Sequence, residues 1–188
     1  MKRMVAALAL YLLATPALSE DKDTVSLYLN TGTYFFDSSR PEEFVGDDFP
    51  NDSYADSTGI GIGIGYNITE HWSFEGYYSR FDTDLKDSGI DVRVDVYHLD
   101  FMYNFHRWLD CWTPYVAFGL GETWLDGELN EEDRSLQGNL GMGLKFHSGN
   151  RIQYRFEVRG YRDDDFTDAR VTFGIGYLFG GDDWRYHN

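Results

Sequence analysis

Cysteine is almost absent from this chain: Cys111 is the single one among 188 residues, so no intrachain disulfide can form. Cys111 lies between Asp110 and Trp112, in a short stretch that we interpret as a turn. A cysteine nucleophile needs a paired base and donors for an oxyanion, and no such pattern surrounds this position. The chain is therefore neither a disulfide scaffold nor a recognisable cysteine-dependent enzyme.

Long apolar runs are also missing. The one short run, residues 4–13, follows a basic start and precedes small residues at Ala17 and Ser19. This order is typical of a secretory signal peptide, and the run is too short to span a bilayer as a helix. We predict a signal peptide over residues 1–19 and a single domain over 20–188, with no segment suited to a transmembrane helix.

Basic residues are scarce: 16 Lys and Arg stand against 32 Asp and Glu, which gives a net charge of −16 at pH 7. So acidic a chain has no electrostatic attraction to the phosphates of nucleic acids. Aromatic residues, in contrast, make up 18% of the chain. This share is high for an acidic soluble domain and suggests that many aromatic side chains face lipid or the headgroup zone.

The most informative segment is 57–67, which reads STGIGIGIGYN. Because a strand turns successive side chains to opposite faces, this segment has one apolar face and one face of glycines. A strand face made only of glycines, without side chains, is rare in a water-soluble sheet. It fits a strand that meets lipid on one side and lines a narrow barrel on the other. Residues 171–179 repeat the alternation.

The same alternation predicts eight strands, at residues 25–36, 58–66, 72–81, 94–105, 113–125, 136–146, 151–161 and 169–179. Their connections alternate between short turns and longer polar loops, as in transmembrane barrels. We therefore predict an all-β, eight-stranded, antiparallel, up-and-down transmembrane β-barrel. The even strand count places both termini on the periplasmic, short-turn side, and residues 180–188 form a short polar tail.

Aromatic residues gather near the predicted strand ends. Those toward the short-turn rim are Trp72, Phe105, Trp112, Phe146 and Phe179, and those toward the long-loop rim are Phe36, Phe81, Trp124 and Tyr161. We interpret the two groups as aromatic belts at the two headgroup levels of a membrane. Ordinary β propensity of aromatic residues does not account for their gathering at both ends.

Several charged residues fall on the inward face of the predicted barrel. A Lys or Arg on the lipid face costs about 2–4 kcal/mol at the midplane, so these charges should point into the lumen and be paired there. We predict an ionic network centred on Arg155, bonded to Glu75 or Glu157, with Lys145 nearby. His98 and Asp100 are further candidates. Such a network would either plug the bore or act as a gate by exchange of arginine partners, and the narrow bore favours the plug.

The long loops hold many acids: Asp37, Glu42, Glu43, Asp47, Asp48, Asp52 and Asp56 in the first, and Asp163, Asp164, Asp165 and Asp168 in the last. They could gather divalent cations that bridge lipopolysaccharide phosphates. Scattered acids without fixed spacing are not a calcium site, however, so a solvated surface is favoured. We predict no metal and no cofactor.

Two groupings could suggest a hydrolase: the alternating His71, Ser73 and Glu75, and the adjacent His147 and Ser148. The first is more simply a turn histidine, a small lumen residue and an ion-pair partner. The second pair would point to opposite faces or lie in a turn. No oxyanion hole is visible, so we predict no catalytic residues.

A soluble eight-stranded barrel that binds a ligand inside would need a coat of long charged side chains on its outer face. The non-aromatic face here consists mainly of Gly, Ser, Asn and Gln, which is a poor coat for water. The transmembrane interpretation is therefore favoured over the soluble one.

Four passages resemble the N-terminal transmembrane domain of the OmpA family: GIGIGIGYN at 59–67, WSFEGYY at 72–78, PYVAFGLG at 114–121 and VTFGIGYLF at 171–179. The segment YRFEVRGY at 154–161 adds a placing of Arg and Glu on an inward face that is similar to that of the family. Each is weak alone, and their order and spacing carry the resemblance. It implies a Gram-negative outer-membrane barrel, in contact with outer-membrane lipids and lipopolysaccharide and inserted by the barrel assembly machinery. We expect a monomer.

Two features depart from that family. The peptidoglycan-binding domain that often follows the barrel is absent from the sequence, and the last strand is followed by nine residues instead of ending the chain. The resemblance implies a structural role in membrane integrity and surface exposure, with a plugged or narrowly gated lumen. A small-solute or ion pore is the alternative, and a lipid A-modifying barrel enzyme is a weaker one.

Overall fold

A computed structural model describes residues 22–37, 56–84, 91–106, 111–127, 132–148, 151–163 and 167–180. Eight antiparallel strands form one closed barrel, which confirms the predicted fold class. The strands are β1 (Thr24–Phe35), β2 (Ser57–Asn67), β3 (Trp72–Asp84), β4 (Asp91–Asn104), β5 (Trp112–Gly127), β6 (Glu132–His147), β7 (Ile152–Arg162) and β8 (Thr167–Gly180). No helix in the described ranges is long and apolar enough to cross a membrane.

The strands pair in chain order, and β1 pairs with β8 to close the barrel. When the register is followed around the barrel from Arg162 on β7, it returns to Ile152 on the same strand, a stagger of ten residues. Ten residues of stagger over eight strands correspond to a strand tilt of about 40°. At that tilt an 11-residue strand rises about 28 Å, enough for an apolar band about 25 Å tall.

The two faces of β2 are those that the sequence predicts. Ile60, Ile62 and Ile64 are exposed on the outside of the barrel, at 73%, 44% and 58%, whereas Gly61 and Gly63 are buried inside. The inward glycines make room for inward aromatic rings, because a Cβ added at Gly63 would overlap the ring of Tyr28. The alternation of Gly and Ile thus combines an apolar exterior with a crowded lumen.

The predicted aromatic residues at the short-turn rim lie on the outer face, whereas at the long-loop rim the prediction holds for Trp124 and is wrong for Phe81 and Tyr161. At the short-turn rim Trp72, Trp112 and Phe179 are exposed on the outer face. At the long-loop rim Phe81 and Tyr161 are both 1% exposed and face the lumen. The reason is the strict alternation of a strand: Trp72 and Phe81 differ by an odd number of positions, so they point to opposite faces.

An apolar cluster fills the long-loop end of the lumen, and the predicted small, polar inner face is wrong there. This apolar plug consists of Tyr34, Phe81, Val92, Val94, Val96 and Tyr161, with Phe36 packed against it. The Tyr34 ring lies 5.2 Å from that of Phe81 and 5.6 Å from that of Tyr161. The valines belong to the loop-side end of β4, which begins three residues earlier than the sequence pattern predicts.

Asp168 lies in β8 and is buried, whereas the sequence pattern places it in an exposed loop. Its carboxylate accepts hydrogen bonds from the Tyr34 hydroxyl at 3.1 Å and from the Asp37 backbone N–H at 2.8 Å. Asp168 therefore joins the long-loop ends of β1 and β8, the two strands that close the barrel.

The signal peptide over 1–19 and the polar tail after Gly180 lie outside the described residues. So do most of the loop acids, including those at 42–52, 164 and 165.

Candidate functional site in the barrel lumen

Seven buried side chains form a continuous lumen ionic network: Glu75, His98, Asp100, Arg155, Glu157, Arg159 and Arg170. They come from β3, β4, β7 and β8. On β7 the residues at 155, 157 and 159 alternate with outward Phe156 and Val158, so they form one inward column. The alternation of side chains along β7 therefore explains why these three network residues all point into the lumen.

Arg155 connects β7 to β3 and β5 across the bore. Its Nη1 donates to Glu75 Oε2 at 2.6 Å, its Nη2 to Glu157 Oε2 at 2.5 Å, and its Nε to the Tyr115 hydroxyl at 2.6 Å. The guanidinium also lies 4.8 Å from the ring centre of Tyr28 and 4.7 Å from that of Tyr115. The sequence analysis predicts either Glu75 or Glu157 as the partner of Arg155, and in the structure Arg155 contacts both.

Glu157 is the acceptor on which the network converges. Besides Arg155, its carboxylate accepts hydrogen bonds from Arg159 at 2.8 and 3.0 Å and from Arg170 at 3.3 Å. The Tyr115 hydroxyl donates to it at 2.8 Å. One buried carboxylate is thereby surrounded by three guanidinium groups, an arrangement that stabilises each charge only while the others are present.

Asp100 binds the part of the network nearer the long-loop end of the lumen. It accepts from Arg159 Nη1 at 2.6 Å and from the Asn139 amide at 2.9 Å, and its Oδ2 lies 2.6 Å from His98 Nδ1. The His98 ring stacks on Tyr77 at a centroid distance of 4.5 Å. His98 and Asp100 are therefore both part of the lumen network.

Arg170 links the ionic network to the apolar plug. Its guanidinium lies 4.3 Å from the ring centre of Tyr77 and 5.3 Å from that of Tyr161, and it donates to Ser79 at 3.3 Å. Three arginines face three carboxylates in the network, so their formal charges cancel. This balance is what a buried cluster requires, since an uncompensated buried charge is strongly destabilising.

Lys145 lies in a polar cluster at the short-turn end of the lumen. Its Nζ donates to Asn104 Oδ1 at 2.9 Å and lies 5.3 Å from the Tyr115 ring centre. Asn104 in turn donates to Ser73 Oγ at 2.6 Å. Tyr115, which contacts both Lys145 and Arg155, connects this cluster with the ionic network.

Sequence reasoning missed two of the three arginines in the network. The network predicted from the sequence contains neither Arg159 nor Arg170. The alternation on β8 contains the missing signal: Val171 and Phe173 face outward, so Arg170 and Asp168 must face inward. When the alternation of inward and outward residues is continued to the first residues of β8, it identifies both Asp168 and Arg170 as inward.

The candidate hydrolase groupings do not form a hydrogen-bonded nucleophile and base in the described residues. Ser73 Oγ donates to Asn67 Oδ1 at 2.7 Å and accepts from Asn104, while Glu75 binds Arg155. Ser148 is exposed whereas His147 is buried, so their side chains point to opposite faces. The described residues contain no group of three or more His, Cys, Asp or Glu side chains that could hold a metal ion.

The sequence matches the family described as outer membrane protein beta-barrel domain over residues 5–179. Among solved structures, neisserial surface protein A (NspA) is 14% identical, with a TM-score of 0.66 over 82% of this chain and 97% of that chain. The N-terminal β-barrel domain of Pseudomonas aeruginosa OprF is 19% identical, with a TM-score of 0.60 over 85% of this chain and 100% of that chain.

Ail, the attachment invasion locus protein of Yersinia pestis, is 17% identical, with a TM-score of 0.58 over 84% of this chain and 99% of that chain. No curated protein sequence matches significantly. At these identities the structural matches establish the fold alone.

Proposed function

Because the chain belongs to the outer-membrane β-barrel family and has the eight-stranded architecture of the OmpA-like type, we propose that it is a structural protein of the Gram-negative outer membrane with a plugged lumen. Its role is to contribute to membrane integrity and to present its long loops at the cell surface. Outer-membrane lipids and lipopolysaccharide surround it, and the barrel assembly machinery inserts it as a monomer.

The filled lumen is the observation that carries this proposal. The lumen ionic network occupies the middle of the bore, and Arg159 and Arg170, two of its three arginines, are each 1% exposed. The apolar plug covers the network on the extracellular side, and the cluster around Lys145 lies on the periplasmic side. An eight-stranded barrel has an interior just wide enough for side chains, so three such layers among the described residues support a plugged lumen over a continuous aqueous path.

Planar-bilayer recording of the purified, refolded chain tests the plug. We expect no steady conductance from the wild-type barrel. Heat-dependent gel mobility verifies that the preparation is folded. Large, steady channel openings from such a preparation would contradict the plugged lumen.

A narrow pore is the second candidate, and it is favoured by two buried polar atoms that lack a hydrogen-bond partner among the described residues. These are Gln137 Oε1 and Arg170 Nε, both in the extracellular half of the lumen. Buried polar groups in such positions are commonly satisfied by water. A chain of water molecules past Arg170 would carry small ions once the salt bridges rearrange.

The two candidates differ in what happens when the charge of Glu157 is removed. In Glu157→Gln the three arginines lose their common carboxylate and repel one another. A gate would then open, and conductance would rise well above that of the wild type. A structural plug would lose stability without a stable open state, and Thr172→Val, an inward substitution outside the network, is the matched control.

A further inference from the structure

Three buried polar atoms in the long-loop half of the lumen make no hydrogen bond within the part of the chain that the structure describes. They are Gln137 Oε1 on β6, the Tyr161 hydroxyl on β7 and Arg170 Nε on β8, and we call them the polar triad. Each of the three residues is 1% exposed, so none of these atoms is in contact with bulk solvent. A buried polar group without a partner costs free energy, so three of them together indicate a site for a polar occupant.

The polar triad lies on three adjacent strands of the barrel. Tyr161 pairs with Asn139 on β6, and Gln137 is the next inward residue of that strand. On its other side Tyr161 pairs with Asp168 on β8, and Arg170 is the next inward residue there. Diagonal neighbours of this kind are about 7–8 Å apart, a distance that long side chains can bridge. The guanidinium carbon of Arg170 lies 5.3 Å from the Tyr161 ring centre, so the register brings the two groups together.

Arg170 is held more loosely than the other two arginines of the lumen ionic network. It donates to Ser79 and to Glu157 at 3.3 Å. The hydrogen bonds that Arg155 and Arg159 donate measure 2.5–3.0 Å, and in both of these residues the Nε atom also has a protein acceptor. The guanidinium of Arg170 therefore retains one N–H, and a looser fit to its neighbours, for a further molecule beside it.

The chemistry of the occupant follows from the three atoms. Arg170 Nε only donates, the Tyr161 hydroxyl donates or accepts, and Gln137 Oε1 only accepts, because the Gln137 amide nitrogen is bonded to Thr123. The occupant must therefore both donate and accept hydrogen bonds. It is also neutral, because the three arginines and three carboxylates of the lumen ionic network already cancel. Water meets both conditions, and a buried water molecule makes about three hydrogen bonds.

We propose that the polar triad binds a single internal water molecule, which accepts hydrogen bonds from Arg170 Nε and the Tyr161 hydroxyl and donates one to Gln137 Oε1. The water joins β6, β7 and β8, and through Arg170 it connects the lumen ionic network with the long-loop end of the lumen. It occupies a closed site and is not part of a continuous water path. This inference rests on the plugged lumen proposed above and specifies how polar groups beyond the network are satisfied.

Magnetisation transfer from water to protein, measured by NMR on the refolded chain with 15N-labelled arginine in detergent micelles, tests the proposal. Arg155 Nε donates to the Tyr115 hydroxyl and Arg159 Nε to Glu157, so the N–H signals of these two atoms are internal controls. We expect a dipolar cross-peak from water to the Nε–H of Arg170, and none of comparable intensity to the two controls. The sign of the cross-peak in the rotating frame separates dipolar contact from proton exchange.

Substitutions in the polar triad test its hydrogen bonds to the water. Tyr161→Phe removes one hydroxyl and keeps the ring, so the cross-peak at Arg170 should fall by about fivefold, the factor that one ordinary hydrogen bond contributes to a binding constant. Gln137→Leu removes the acceptor and fills its space, and should abolish the cross-peak. The matched control is Tyr28→Phe, the same change at another buried tyrosine whose hydroxyl has no hydrogen-bond partner among the described residues. It should leave the cross-peak at Arg170 unchanged.

Three results would overturn the proposal. If the wild type shows no water cross-peak at Arg170, the site is dry, and the plugged lumen still stands. If the cross-peak persists at full intensity in Tyr161→Phe, the triad does not hold the water. If all three lumen arginines show equally strong cross-peaks, a continuous column of water fills the bore, and the plugged lumen fails as well. Heat-dependent gel mobility verifies folding, and if Gln137→Leu does not fold, the comparison of Tyr161→Phe with Tyr28→Phe decides the question.

Discussion

Arg155 Nη1 donates a hydrogen bond of 2.6 Å to Glu75 Oε2, and the two residues are 80 positions apart in the chain. The contact crosses the lumen from β7 to β3, so it forms only when the barrel has closed. Because both side chains are buried, neither charge can be solvated if the other is removed. The closed barrel and the ionic network are therefore expected to depend on each other.

The first prediction concerns Arg155→Ala. Removal of this guanidinium leaves Glu75 without its cation, so the free energy of unfolding should fall by about 3–5 kcal/mol. Urea unfolding of the refolded barrel in detergent or lipid vesicles measures it. Arg93→Gln, on the exposed outer face, should change it by less than about 0.5 kcal/mol. Equal stability of Arg155→Ala and wild type would refute the structural role of the network.

The second prediction is an order of effects between two carboxylates. Glu157 binds Arg155, Arg159 and Arg170, whereas the ion pair of Glu75 is with Arg155. Glu157→Gln should therefore destabilise the barrel more than Glu75→Gln does, by at least about 1 kcal/mol. Parallel unfolding curves of the two variants give the comparison, and the reverse order would show that Glu157 is not the centre of the network.

The third prediction contrasts an inward and an outward glycine. A Cβ at Gly119 would overlap the backbone carbonyl oxygen of Leu99 on the neighbouring strand, whereas the outward Gly160 has open space. Gly119→Ala should cost about 1–3 kcal/mol, because the two strands must separate. Gly160→Ala should be neutral or slightly stabilising, because alanine restricts the unfolded chain. Equal tolerance at both positions in unfolding measurements would contradict the described register.

The fourth prediction concerns the closure between β1 and β8. Asp168→Ala removes the acceptor of the Tyr34 hydroxyl and of the Asp37 N–H, so the stability should fall by about 1–3 kcal/mol. Hydrogen exchange at the long-loop ends of β1 and β8 should increase more than at the short-turn ends. The control is Asp82→Ala, whose carboxylate is 81% exposed. Uniform exchange along both strands would show that Asp168 has no local role in closure.

Strand alternation made most of the fold predictable from the sequence. The Gly and Ile alternation of β2, the eight segments and the alternating loop lengths are local signals, and each requires only the period of two. The errors were at strand ends: β4 begins at Asp91 and β6 at Glu132, three and four residues earlier than predicted. These strand ends lie beyond the apolar band. The outward residues there are polar, so the sequence no longer alternates between apolar outward and polar inward residues.

The lumen was predictable only in part, for a physical reason. The period of two identifies which charges point inward, but a partner is set by the register and the stagger of the barrel, which join positions as distant as Glu75 and Arg155. The convergence of Arg159 and Arg170 on Glu157 also depends on that stagger. The same applies to the apolar plug, whose aromatic members Phe81 and Tyr161 were assigned to the membrane belt because they lie at strand ends.

The orientation of the two faces of the barrel is the claim on which the whole account depends, and contacts between lipid acyl-chain protons and side-chain methyl groups measure it directly. In lipid bilayers, with Ile and Val methyls labelled, the account predicts cross-peaks from acyl chains to Ile62 and Val158, which face outward, and none to Val94 and Val96, which are buried in the lumen. Acyl-chain cross-peaks to Val96 together with their absence at Ile62 would contradict it.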